Sequence, residues 1–137
     1  MSNLISYKTF ILIGIGGAIG ASMRYSLTLL VPFTHLPYAT IIANIIGCFI
    51  LAFSINSGQF KAKVPKHLLL ALNTGILGSF TTFSTFSAES VQLLAVNFVN
   101  GFIYLTLNLF GGLAACLSGY LLAKQIDKVK NGDGGYA

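Results

Sequence analysis

Charge is what this sequence most lacks. Of 137 residues only 8% are charged, against roughly 25% in a soluble domain, while 55% are hydrophobic. A water-soluble protein of this size could not hide that much apolar surface. Acids are scarcer still, with Glu89, Asp127 and Asp133 the whole supply, and the histidines are His35 and His67. No paired carboxylates or nucleophile–base spacing can be assembled from so few groups, so an enzyme is not expected. The two cysteines, Cys48 and Cys116, have neither CxxC nor Cys/His spacing and lie within apolar runs, which makes them reduced packing residues. Repeats and any segment long enough for a separate soluble domain are also missing.

What is there is apolar sequence in long runs. Spans of 8–31, 38–56, 67–96 and 98–124 can each cross a hydrocarbon core that takes about 20 residues of helix, leaving a polar tail at 125–137. The fold class is therefore an all-α membrane protein with four transmembrane helices in a single domain. The first span has no basic start followed by a small-residue cleavage site and carries Arg24 near its end, so it reads as a retained helix rather than a signal peptide. A net charge of +5 would suggest nucleic acid in a soluble chain. Here the lysines flank the spans and no aromatic-basic surface exists, so membrane orientation explains them better.

Inside a bilayer each polar side chain must find a partner, and those that persist are functional candidates. They are Arg24, Asn44, Asn73, the hydroxyl cluster from Ser79 to Ser87, Glu89, Tyr104 and Asn108. The third span is the most unusual, because Gly75-Ile-Leu-Gly78-Ser-Phe-Thr-Thr-Phe-Ser-Thr-Phe-Ser87 concentrates glycine and hydroxyls at mid-span. Two alternatives remain open: an unwound segment whose free carbonyls meet a cation, or an intact helix whose hydroxyls bond back to its own carbonyls. Phe80, Phe83 and Phe86 recur every third residue, which on a continuous helix is one stripe. Such a stripe serves packing, or offers electropositive ring edges to a small anion. Gly16 and Gly20 form a GxxxG that admits close approach of a neighbouring helix. Tyr104 and Asn108, four apart, share a helix face.

Three stretches in order, Gly16-Gly-Ala-Ile-Gly-Ala-Ser-Met-Arg24-Tyr25, Asn44-Ile-Ile-Gly47-Cys-Phe49 and Gly78-Ser-Phe-Thr-Thr-Phe-Ser-Thr-Phe-Ser87, resemble the Fluc (CrcB) family of fluoride channels. The likeness extends over the whole chain in length and helix count. It implies an antiparallel dimer of four-helix subunits, the third helix of each broken at the membrane centre, and a structural sodium ion held by backbone carbonyls matching Gly78 and Thr81. It further implies that Phe83 and Phe86 line the fluoride paths, that Asn44 offers an amide N–H to the ion, and that Thr82, Thr40, Tyr104 and Asn108 continue a polar track. Arg24 and Glu89 become structural or vestibule charges. The fourth helix departs from the family pattern, carrying Asn108 and Gly112 where hydroxyls are expected.

The function so implied is passive export of cytoplasmic fluoride across the plasma membrane, protecting a cell from fluoride that enters as HF. Two other readings stand beside it. A proton-coupled exporter of the small multidrug type needs a midplane acid, which the first helix lacks. A non-conducting assembly subunit would need only the GxxxG surface and leaves Asn44 and the Thr/Phe cluster without a role. Lys8, Lys61, Lys63, Lys66, Lys124, Lys128 and Lys130 fall on one side of the membrane and Arg24 on the other. The positive-inside rule thus places the termini in the cytoplasm. So strong a bias sits uneasily with a homodimer inserted both ways and admits a heterodimer with an oppositely oriented related subunit, while the intact pore motifs keep the antiparallel homodimer as the default.

Overall fold

A computed structural model describes residues 7–32 and 34–132, with side chains as far as 129. Asp133, the rest of the tail to 137 and the side chain of Lys130 lie outside the described residues. The described chain is helical: α1 (Tyr7–Leu30), α2 (Tyr38–Asn56), α3 (Gly58–Lys63), α4 (Lys66–Leu70), a π-helical segment (Ala71–Leu77), α5 (Gly78–Phe80), α6 (Phe83–Val96) and α7 (Phe98–Gly132). Four stretches are long and apolar enough to cross a membrane, at Tyr7–Leu30, Tyr38–Asn56, Lys66–Val96 and Phe98–Val129. Large apolar side chains such as Ile11, Ile15, Phe102 and Phe110 point outward, as they do when lipid is the solvent.

Helix ends fall where local chemistry puts them. Pro32 follows α1, and Pro37 stands at the N-cap of α2, where its missing N–H costs no hydrogen bond. Ser57 both ends α2 and starts α3, its hydroxyl accepting the Phe60 N–H at 3.2 Å. Asn97 is extended, with φ −148° and ψ 101°, and its side chain accepts the Asn100 N–H at 3.1 Å. That cap starts α7, and Gly101 lets α7 turn back against Leu94: a Cβ there would stand 2.7 Å from the Leu94 nitrogen.

The π-helical segment packs on α1 backbone to backbone. A Cβ on Gly16 would lie 2.7 Å from the Ala71 carbonyl oxygen, one on Gly75 would lie 2.6 Å from that of Ile13, and one on Gly20 would fall on the Ile76 carbonyl. Small residues on both sides set this distance. The widened turn also aims Asn73 at α2, where the buried Ser54 hydroxyl donates to its Oδ1 at 2.6 Å.

Thr81 and Thr82, between α5 and α6, have extended dihedrals of φ −75°, ψ 156° and φ −148°, ψ 122°. One sequence expectation is corrected here. Phe80, Phe83 and Phe86 do not form a single stripe, because the extended pair rotates α6 relative to α5. Phe80 is 6% exposed and faces α1, whereas Phe83 is 80% exposed.

Candidate functional site

The site grows from the two residues that leave the helix. In an extended residue the N–H and C=O point the same way, so a single planar amide can meet both, as a neighbouring strand would. Asn44 of α2 does this for Thr82: its Oδ1 accepts the Thr82 N–H at 2.9 Å, and its Nδ2 donates to the Thr82 carbonyl at 3.3 Å. The backbone N–H fixes which end of the amide is oxygen. Nδ2 therefore also faces Asn108 of α7 and donates to its Oδ1 at 3.1 Å, while Asn108 Nδ2 donates to the Tyr104 carbonyl at 3.2 Å.

Thr82 is at the same time the N-cap of α6. Its hydroxyl accepts the Thr85 N–H at 3.1 Å and donates to Thr85 Oγ1 at 2.9 Å, the usual way a threonine satisfies a first-turn donor. Arg24 of α1 donates from Nη1 to the Thr85 hydroxyl at 3.3 Å. At the other end, the fully buried Tyr104 donates its phenol to Glu89 Oε2 at 2.6 Å. A connected set of polar groups thus runs from Arg24 through Thr85, Thr82, Asn44, Asn108 and Tyr104 to Glu89.

These bonds also free two carbonyls. In a continuous helix the Gly78 carbonyl would accept the Thr82 N–H, and the Thr81 carbonyl that of Thr85. Asn44 has taken the first donor and Thr82 Oγ1 the second. Gly78 and Thr81 are consequently left with carbonyl oxygens available to a hard cation, in a set without carboxylates. Among the described residues no cluster of three or more His, Cys, Asp or Glu could hold a metal ion.

An open groove of about 490 Å³ runs beside this network and brings together Asn44, Thr81, Thr82, Phe83, Phe86 and Asn108. Among the described residues no charged side chain lines it. Phe86 packs against Phe83, ring centres 6.1 Å apart, and against Tyr104 at 5.6 Å. Tyr104 itself is sealed behind Phe86 and is not part of the groove wall. Thr40, buried, lines a separate cavity of about 190 Å³ with Arg24, Tyr25, Thr28 and Thr85. The track of hydroxyls and amides is accordingly split between two spaces that meet at the Thr82–Thr85 cap.

Sequence reasoning missed three participants. Cys48 and Cys116 line the groove although their spacing gives no sign of it. Asp127 does not trail in a free tail. Its carboxylate accepts the Gly58 N–H at 2.8 Å and the Gln59 N–H at 3.1 Å, tying the far end of α7 to the start of α3. The bare N–H groups of a helix start after Ser57-Gly58 were the available signal.

Comparison with known proteins places this architecture. The family described as "CrcB-like protein, Camphor Resistance (CrcB)" matches residues 11–120. A protein of Halalkalibacterium halodurans named fluoride-specific ion channel FluC 2 is 44% identical over 87% of this chain and 88% of its own length. Fluoride-specific ion channel FluC of Thermosipho melanesiensis is 39% identical, over 84% of this chain and 95% of its own. FluC 1 of Bacillus cereus aligns over 100% of both chains at 38% identity.

Proposed function

The chain belongs to the CrcB family, and on that premise we propose that it is a passive, fluoride-selective channel that lets the ion leave the cytoplasm down its gradient. It is a multi-pass protein of the plasma membrane. The observation that carries the reading is the groove in which Asn44, Thr82, Phe83, Phe86 and Asn108 meet without a charged lining. Amide N–H groups, a hydroxyl and the positive edges of phenyl rings attract a small anion enough to dehydrate it. A fixed cation there would hold the ion too tightly to release it.

Asn44 supplies this path in a particular way. Both its N–H directions are already turned to oxygens, Asn108 Oδ1 at 3.1 Å and the Thr82 carbonyl at 3.3 Å. An arriving fluoride takes the place of the longer contact, so the amide exchanges one acceptor for another with its oxygen still anchored on the Thr82 N–H. Asn108 supports Asn44 from behind, and Phe83 and Phe86 supply ring edges at the mouth. Thr40, on the Arg24 side of the cap, extends the polar track toward that vestibule.

Four further elements belong to the same proposal. The non-helical step at Thr81–Thr82 is the break of the third helix at the membrane centre. Two subunits pack antiparallel about it. A structural sodium ion is held between them by the carbonyls of Gly78 and Thr81, which the local hydrogen bonding leaves free; its chemistry is to neutralise their negative ends. The partner subunit is a second copy of this chain, with a related subunit of fixed opposite orientation as the alternative that the lysine bias raises.

Purified protein in liposomes tests the function: fluoride efflux without a proton gradient, with chloride retained, is expected. Flux that requires a proton gradient would replace this reading with a coupled exporter, and no flux of any kind would favour a non-conducting subunit.

A further inference from the structure

Cys48 and Cys116 come from helices that run side by side. Asn44 and Cys48 are one turn apart on α2, and Asn108, Gly112 and Cys116 are successive turns of α7, so each set shares a face. The two faces meet in register. Asn44 bonds Asn108, and one turn further on a Cβ at Gly112 would stand 3.6 Å from Cys48 Sγ. The absence of a side chain at Gly112 opens the space above it, and the next residue along that face, Cys116, has its Cβ about 5–6 Å from the Gly112 position. Both thiols line the groove, and Cys116 is exposed to it.

We propose that Cys48 and Cys116 form a two-thiol site for a soft, linearly coordinated cation such as Hg²⁺ or Cu⁺, and that its occupation blocks the groove. Thiolate sulfur selects soft ions over the hard cations that carbonyls hold, and two-coordinate ions need no third ligand. Binding Hg²⁺ forms two S–Hg bonds and releases one proton from each thiol to water, with no change of oxidation state. The mercury-bridged product is electrically neutral and obstructs by volume, while the Cu⁺ bis-thiolate keeps one negative charge and adds repulsion to that volume; either stands one helical turn from the Asn44–Asn108 pair, in the space an ion would cross. Because two packed helices present both sulfurs at once, the second bond is intramolecular and outlasts competition from a monothiol. The blocking half of the inference rests on the fluoride reading above; the binding half does not.

The experiment uses the full chain with Hg²⁺ in excess β-mercaptoethanol, read by mass spectrometry of the intact protein and by fluoride efflux from liposomes. Cys48→Ser, Cys116→Ser and the double variant are each compared with their own metal-free flux. One mercury per chain retained by the parent and lost from every variant, with loss of flux only in the parent, is the expected result. Two independently held ions, or retention by either single variant, would overturn the site. Retention without loss of flux would overturn the block. Parent protein that conducts no fluoride before metal is added would refute the channel reading, while the mercury count still decides whether the two thiols act together.

Discussion

Replacing Asn44 by Asp separates charge from shape in the proposed path. The side chain keeps its size and an oxygen to accept the Thr82 N–H at 2.9 Å, so the extended step at Thr82 should persist. The two donor contacts, to the Thr82 carbonyl and to Asn108 Oδ1, become oxygen against oxygen. Asn108 cannot relieve this by rotating its amide without turning its oxygen on the Tyr104 carbonyl. Losing two hydrogen bonds removes about 1–3 kcal/mol of stability at ~0.5–1.5 kcal/mol each. The charge acts on the ion far more strongly. At an effective dielectric near 20, two unit charges about 4 Å apart repel by about 4 kcal/mol, which is a rate factor of roughly a thousand. Asn44→Ala serves as the companion: it adds no charge but strands the N–H of Thr82, a residue 8% exposed, at a cost of about 1–3 kcal/mol. Fluoride efflux per folded protein and thermal unfolding in detergent, measured together, should show both variants less stable than the parent, with the aspartate nearly silent and the alanine slower than the parent but still conducting. An aspartate variant that conducts as fast as the parent would refute the placement of Asn44 beside the ion.

Phe83→Ile and Phe86→Ile should reduce fluoride efflux while the size-exclusion profile stays that of the parent, since apolar volume survives and the positive ring edge does not. Gly20→Val places its side chain on the Ile76 backbone carbonyl rather than on a movable group; overpacking of this kind costs about 1–3 kcal/mol or more, and a lowered unfolding temperature is the readout. Asp127→Ala should speed hydrogen exchange at the Gly58 and Gln59 amides, whose acceptor it removes, with efflux unchanged. Single cysteines placed in the tail, in a chain lacking Cys48 and Cys116, should label from both sides of the membrane if two copies insert oppositely. Labelling from the cytoplasm alone, with no flux from the purified chain, would instead establish a paired subunit.

The four spans were legible because each is an apolar run of adequate length, a property of residues near one another in sequence. The conformation between Gly75 and Ser87 was not, since glycines and hydroxyls there suit an unwound segment and a back-bonded helix alike. The residue that takes the Thr82 N–H is Asn44, 38 positions away, and no local pattern announces that distance. The same event explains the misread phenylalanine stripe: periodicity of three carries through only while the helix does. The π-helical segment was likewise invisible: it lies where Gly16, Gly20 and Gly75 let two backbones approach closely, a contact between elements that no local pattern announces. Asn44, Thr82, Phe83 and Phe86 were nameable from motif, and Asn108 from its polarity within an apolar span. Their division from Thr40 and Tyr104, which the structure sets in a separate cavity and behind Phe86, needed three dimensions.

Arg24 and Glu89 show why the middle of the network can remain neutral. A charge held in a span is costly unless it is paired or bonded, and here each is tethered by one neutral hydroxyl, Thr85 for the guanidinium and Tyr104 for the carboxylate. The groups between them are hydroxyls and amides, which donate and accept equally and can reorient as an ion approaches. Moving either charge inward would change that balance: a cation at Thr82 would bind fluoride without releasing it, and an anion at Asn108 would exclude it. The Thr82 cap and the Asn108–Tyr104 turn hold both charges one hydrogen bond or more away from Asn44. Spacing the charges in this way lets a bundle whose spans contain them present a groove wall with none among the described residues.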